Sequence, residues 1–259
     1  MRSRILFLGI ILLLGFLFYH LINGQMRPKI LPKVFIIGAS TVRYDYDPAR
    51  MGWGSALIDA YLNIPANGYN RARRGASSIS YQVMNDAIRK SKGPYYWEST
   101  KRLIERTIPH TGSYLLIQFG ANDKYEKRSK EAFQEALKFY ITQARRMGVI
   151  PVLISPLETR LKIEGKPYHS RGEYPHYMRE LAYQEQVLFL DLCGKSYKAY
   201  AKMTQSELDQ KFGAMRYSNG RIDRTHLSPE GAKIVAGWVR DLACEKDQKL
   251  CSLFREEPR

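Results

Sequence analysis

Along this chain, short unbroken apolar runs alternate with stretches in which apolar residues recur every three or four positions. Val34–Ile37 is one such run and ends at Gly38. Leu115–Phe119 ends at Gly120, Val149–Ile154 at Ser155-Pro156, and Val187–Leu190 at Asp191. A few apolar residues in a row, without polar alternation, are what a strand buried on both faces requires. Between the runs, Ile79, Val83, Met84, Ala87 and Ile88 share one helical face. Phe133, Ala136, Leu137, Tyr140, Ile141 and Ala144 share another, and Tyr177, Leu181 and Ala182 a third. Ser228-Pro229 reads as an N-cap followed by proline at the first helical position, opening a helix that runs to about Ala243. Strands alternating with helices predict an α/β domain, a parallel sheet covered on both faces. Ligands of such sheets gather beyond the carboxyl ends of the strands, so the residues just past each run are the candidates for chemistry.

The beginning of the chain departs from this pattern. Arg2 and Arg4 precede an apolar run from Ile5 to Tyr19, which continues through His20 to Ile22. A basic start before an apolar stretch reads as a signal peptide or a signal anchor, and its length is near that of the shortest spanning helix. The organisation expected is residues 1–24 as anchor or signal peptide, 25–32 as a tether, and 33–259 as one globular domain. No linker rich in Gly, Ser or Pro divides that last segment, and no period of 20–50 residues repeats.

Charge and cysteines narrow the partners. The 259 residues hold 41 Lys+Arg against 25 Asp+Glu, a formal charge of +16, which draws polyanions. On an exported body the expected partner is envelope or extracellular material, and nucleic acid is not expected. Three cysteines are too few for a disulfide scaffold. Cys244 and Cys251 are close enough to bridge in an oxidising compartment, while Cys193 reads as a small buried residue. Neither C-x-x-C nor H-E-x-x-H occurs, so a zinc site has no support.

The first strand ends in Gly38-Ala39-Ser40-Thr41. Ser40 on this small-residue turn either projects its hydroxyl from the sheet edge as a nucleophile or caps the next helix. A serine nucleophile needs a base, and the chain has five histidines. His20 lies in the N-terminal apolar run, His110 in a Pro-His-Thr-Gly turn, and His169 and His176 in the long stretch after the third run. His226 has a carboxylate at turn-compatible spacing, in Asp223-Arg224-Thr225-His226. A carboxylate three residues earlier on a loop either folds back to the imidazole, fixing its tautomer and stabilising its cation, or serves with it to cap the helix that follows. Asn122, in Gly120-Ala121-Asn122-Asp123, either offers an amide to an oxyanion at the same edge or belongs to a plain turn. Gly75, closing the basic loop Asn70-Arg71-Ala72-Arg73-Arg74-Gly75, offers a backbone N–H. No G-x-S-x-G occurs, which disfavours the nucleophile elbow of the α/β-hydrolases.

These blocks, in this order, resemble the SGNH/GDSL hydrolases, and most nearly their rhamnogalacturonan acetylesterase-like branch. Gly52-Trp53-Gly54, Asn70-Arg71-Ala72 with Gly75 and Ser77-Ser78, Val152–Pro156 with Arg160, and Asp223–Ala232 are further points of similarity. The resemblance covers roughly residues 33–243. It implies a three-layer α/β/α sandwich around a parallel sheet of about five strands, with flavodoxin-like topology. It implies Ser40 as nucleophile, His226 as general base and Asp223 as its orienting partner. The oxyanion hole would be the Ser40 and Gly75 amides and the Asn122 side chain. Ester hydrolysis would run through an acyl-serine, with no metal and no organic cofactor. The family usually has Asp where this chain has Ala39.

The branch resembled acts on acetyl esters of pectic polysaccharide, which makes an acetylated glycan the expected substrate. Arg71, Arg73 and Arg74 suit an acidic glycan if they form a basic strip beside the oxyanion donors, or else they pair with nearby acids. Trp53, Tyr95, Tyr96 and Trp97 either stack on sugar rings or pack the core. Two other readings remain open on the residues alone. One is a glycan O-acetyltransferase with the same triad, and the other a non-catalytic glycan-binding or assembly protein that retains the fold.

Overall fold

All four apolar runs form strands of one sheet. In chain order the strands are β1 (Val34–Gly38), β2 (Gly68–Asn70), β3 (Tyr114–Gln118), β4 (Ile150–Ile154), the two-residue pair β5 (Lys162–Ile163) and β6 (Lys166–Pro167), and β7 (Leu188–Leu190). A second short pair follows, β8 (Met215–Arg216) and β9 (Ile222–Asp223). This computed structural model describes residues 31–45, 47–83, 96–107, 112–213, 215–217 and 219–259. Pro32–Arg259 is one unit. The predicted anchor lies outside the described residues, and among those described no helix is long and apolar enough to cross a membrane.

The main sheet has the order β2-β1-β3-β4-β7, and every pair in it is parallel. Alternate residues of each run serve opposite faces. Phe35, Ile37, Leu115, Ile117 and Leu153 pack with Phe133, Leu137 and Tyr140 of the helix Lys130–Arg146, and with Met178 and Leu181 of Tyr174–Gln184. Val34, Ile36, Leu116, Val152 and Ile154 pack on the other side with Trp53, Leu57, Val235 and Val239. Both faces being apolar explains why the runs show no alternation. The result is the expected three-layer α/β/α sandwich. The edge strand β2, Gly-Tyr-Asn, is half-buried throughout and is the one sheet member that the apolar pattern does not signal.

Caps and ends follow local chemistry. Ser228 Oγ accepts from the Gly231 N–H at 3.1 Å, and Pro229 opens the helix Pro229–Lys246. The helix expected over residues 79–88 is described only as Ser78–Gln82. Val83 caps it in an extended conformation and is exposed rather than on a buried face, and Met84, Ala87 and Ile88 lie outside the described residues. Cys244 and Cys251 form a disulfide, and Cys193 is a buried free thiol. Trp53 and Trp97 are buried in the core, the latter edge-on to Phe139 and Tyr140. Tyr95 lies outside the described residues. Near the C-terminus the chain laces back to the segment after Trp53: Asn63 N–H donates to Leu253 O, Arg255 N–H to Tyr61 O and Arg259 N–H to Ala60 O, at 2.9, 2.8 and 3.0 Å.

Candidate active site

The strand order reverses at β1, which has β2 on one side and β3 on the other. In an open parallel sheet the crevice beyond such a switch point is where ligands bind. Ser40 and Asn122 lie just past the ends of these two central strands.

Beyond β1 the chain turns at once, with the Val42 N–H donating to the Ala39 carbonyl at 3.1 Å. The Gly52–Gly54 segment braces this turn through donations from Gly52 to Arg43 O, Trp53 to Thr41 O and Gly54 to Val42 O, at 2.9, 3.0 and 3.2 Å. Gly52 approaches so closely that a Cβ there would fall 2.3 Å from the Val42 carbonyl carbon. Asn70 at the end of β2 adds its amide, donating to Val42 O at 2.6 Å and Ser55 Oγ at 2.9 Å. Ala39, where the resemblance implies an aspartate, is buried, and this turn is held without a carboxylate at position 39. Ser40 is half-buried, and neither its N–H nor its hydroxyl has a hydrogen-bond partner among the described residues.

The loop after β2 runs on beside β1, with Arg71 N–H donating to Ile36 O and Arg73 N–H to Gly38 O, both at 2.8 Å. It turns at Gly75, whose φ of +62° lies where a side chain is penalised. Asn122 opens the helix Ala121–Tyr125 after β3 and donates from Nδ2 to Ala76 O at 2.7 Å. Buried Asp123 ties the same loops together. Its Oδ1 accepts from Ser78 N–H at 2.9 Å and Ser78 Oγ at 2.5 Å, and its Oδ2 from Gly120 N–H at 2.9 Å. Burial pushes its carboxyl pKa up, against the pull of those hydrogen bonds.

Asp223 ends β9, and the chain then folds back on it. Its Oδ1 accepts from the Thr225 and His226 amides at 2.8 and 3.1 Å, and His226 Nδ1 lies 2.7 Å from Oδ2. Tyr217 donates its hydroxyl to the same Oδ2 at 2.8 Å. Burial opposes ionisation of Asp223, but the hydrogen bond to His226 and its charge, with the two amides, hold the carboxyl well below its usual range. A carboxylate at Nδ1 puts the N–H there and leaves Nε2 with its lone pair. Nε2 has no hydrogen-bond partner among the described residues.

This loop is held from two sides. Arg160, fully buried beyond β4, donates from Nη2 to Gly213 O at 2.8 Å and His226 O at 2.7 Å, and its own N–H reaches Arg224 O at 3.0 Å. The Met51 N–H donates to Leu227 O at 3.1 Å, so the segment that braces the Ser40 turn also pins the residue after His226. Ser40, Gly75, Asn122, Asp223 and His226 thus belong to loops joined to one another around one sheet edge. Tyr217 is a support that the sequence did not reveal. Asn70 and Arg160 had only their places in motifs.

The three arginines do not form one strip. Arg73 is buried, donates to Ser80 O and sits over the Tyr81 ring at 5.7 Å. It fastens the Gly75 loop to the helix Ser78–Gln82 instead of facing solvent. Arg71 is half-buried and donates to Ser99 Oγ at 3.1 Å. Arg74 alone of the three is exposed. Among the other histidines, His169 stacks on Tyr197 at 4.1 Å and His176 lies 3.1 Å from Glu180. His20 and His110 lie outside the described residues.

Comparison with known proteins shows the family and the fold. Residues 34–239 match the family described as GDSL-like Lipase/Acylhydrolase. The chain is similar to the rhamnogalacturonan acetylesterase RhgT of Bacillus subtilis, 30% identical over 238 residues that cover 85% of this chain and 94% of that protein. Among solved structures it is similar in fold to protein YxiM of Bacillus subtilis, with a TM-score of 0.63 and 21% identity. That alignment covers 83% of this chain, which spans only 57% of the other. The acetylxylan esterase Axe2 of Geobacillus stearothermophilus shares the fold at a TM-score of 0.50 and 15% identity, with 82% and 93% of the two chains covered.

Proposed function

Because the chain belongs to the family of GDSL-like lipases and acylhydrolases it is a carboxylic ester hydrolase, and we propose that it removes O-acetyl groups from carbohydrate through an acyl-serine at Ser40. The observation that carries this reading is the Asp223–His226 contact of 2.7 Å, on a loop pinned to the brace of the Ser40 turn. The Ser40 oxygen attacks the acetyl carbonyl while Nε2 of His226 takes its proton. Asp223 stabilises the imidazolium. The Ser40 and Gly75 amides and the Asn122 side chain hold the oxyanion. The sugar oxygen leaves with the proton from His226, and water, deprotonated by the same imidazole, releases acetate and restores Ser40.

The substrate class is narrower still. The similarity to a rhamnogalacturonan acetylesterase, the charge of +16 and the exposed Arg74 beside Gly75 together support an acetylated acidic polysaccharide. The basic start and apolar run of residues 2–22 support export, with the body held at a membrane or released beyond it. The disulfide suits the same oxidising compartment. Acetate release from a panel of acetylated glycans, compared between the parent and Ser40→Ala, tests the reaction. The parent releases acetate, most from uronate-containing glycans, and the variant does not. Equal release by both would overturn the acyl-serine.

A further inference from the structure

Oδ2 of Asp223 receives two donors, His226 Nδ1 at 2.7 Å and the Tyr217 hydroxyl at 2.8 Å. The second is a product of the short ladder between β8 and β9, in which Arg216 pairs with Ile222 and Met215 with Asp223. The Tyr217 N–H donates to Arg221 O, and the Gly220 N–H to Tyr217 O, both at 2.9 Å. Gly220, at a φ of +79°, allows the chain to reverse there. The reversal returns Tyr217 onto a carboxylate six residues later, and the Arg221 guanidinium covers its ring at 5.4 Å. With the Thr225 and His226 amides on Oδ1, the carboxylate accepts four hydrogen bonds.

We propose that Tyr217 is a positioning residue for the ester hydrolysis: its hydroxyl pins Oδ2 of Asp223 and draws charge from it, so the imidazole is held in one orientation and loses its proton more readily than beside an unshared carboxylate. This rests on the acyl-serine reading. An acceptor oxygen divided between two donors binds each less strongly, and a weaker acceptor stabilises the imidazolium less. Without the Tyr217 donor the whole of Oδ2 would face His226 and favour the imidazolium, which cannot act as a base. The phenol keeps its proton and so always donates: burial, the hydrogen bond to Asp223 and its negative charge all push its pKa up. Other charges face the group. Arg160 lies behind the loop, Arg50 and Arg221 act on the phenol, and Arg224 is paired with Asp209 alongside at 2.8 Å.

The test is Tyr217→Phe, which keeps the ring and removes the donor. The His226 imidazole is titrated by NMR in the free protein, and the pH profile of kcat/KM is measured on a small acetyl ester. The expected result is an upward shift of about half a pH unit in the imidazole titration, with the acid limb of kcat/KM displaced by the same amount. At a pH below that limb, kcat/KM falls about threefold, and on the alkaline plateau it holds within about twofold. An unshifted imidazole titration would overturn the proposal, and so would an equal loss of kcat/KM at every pH. The titration does not depend on turnover, so it decides the matter even if Ser40→Ala were to leave activity intact.

Discussion

Arg160 donates to the carbonyl of His226 at 2.7 Å from a guanidinium that solvent does not reach. No carboxylate pairs with it directly among the described residues: its donors go to backbone oxygens of the loop that carries the proposed base. Arg160→Ala leaves those carbonyls buried without donors, and its expected effect is a loss of about 2–5 kcal/mol, read from the urea midpoint. Under conditions where the variant is still folded, displacement of the imidazole lowers kcat by about a hundredfold.

Asp223→Asn replaces an acceptor of the Nδ1 proton with an amide that supports the wrong tautomer. The expected loss of kcat is about 10³–10⁴-fold, measured on a small acetyl ester. The same carboxylate links folding to pH. Its native pKa is depressed, so it stabilises the fold above its unfolded value of about 3.9, and that contribution is lost as pH falls below this. Unfolding midpoints measured from pH 7 downward should therefore converge for parent and variant in acid, the parent being the more stable at neutral pH.

Asn122→Ala removes the proposed oxyanion donor together with the tie to Ala76. kcat is expected to fall about a hundred- to a thousandfold, with KM changed far less. Steady-state kinetics on one ester measures both.

Arg73 and Arg74 are neighbours in sequence with opposite fates. Arg74→Ala is expected to raise KM about two- to fivefold for a uronate-containing acetyl ester and leave a neutral ester unaffected, an effect that added salt erases. Arg73→Ala is expected instead to lower stability by about 1–3 kcal/mol, because Ser80 O loses its donor. Urea melts of the two variants beside their KM values for both esters separate the roles.

The Cys244–Cys251 disulfide closes a short loop between the helices Pro229–Lys246 and Gln248–Cys251. Replacing both cysteines by alanine is expected to lower stability by about 2–3 kcal/mol in the chain-entropy account. Treating the parent with a reductant should reproduce most of that loss and leave the double variant unchanged.

The central strands were legible because burial on both faces leaves a parallel strand no polar positions, and Val34–Ile37 and Leu115–Phe119 carry that mark in the bare sequence. β2 carries no such mark. It is short, lies at an edge and is half-buried, so Gly68–Asn70 looks like the loop it leads into. Ser40, Asn122, Asp223 and His226 stood out through short local spacings and their order along the chain. Arg73 was misjudged because a run of three arginines in six residues reads as a solvated surface. Its acceptor is a helix-end carbonyl, and main-chain acceptors leave no trace in side-chain identity. Tyr217 escaped for a related reason: what it supports is fixed by a ladder that no periodicity announces.

The ties from residues 253–259 back to Ala60–Asn63 bear on when the molecule can mature. A ribosome delivers this clasp after every element that it fastens, nearly two hundred positions downstream. A nascent chain therefore lacks this fastening until residues 253–259 have been made, long after Ala60–Asn63 have left the ribosome.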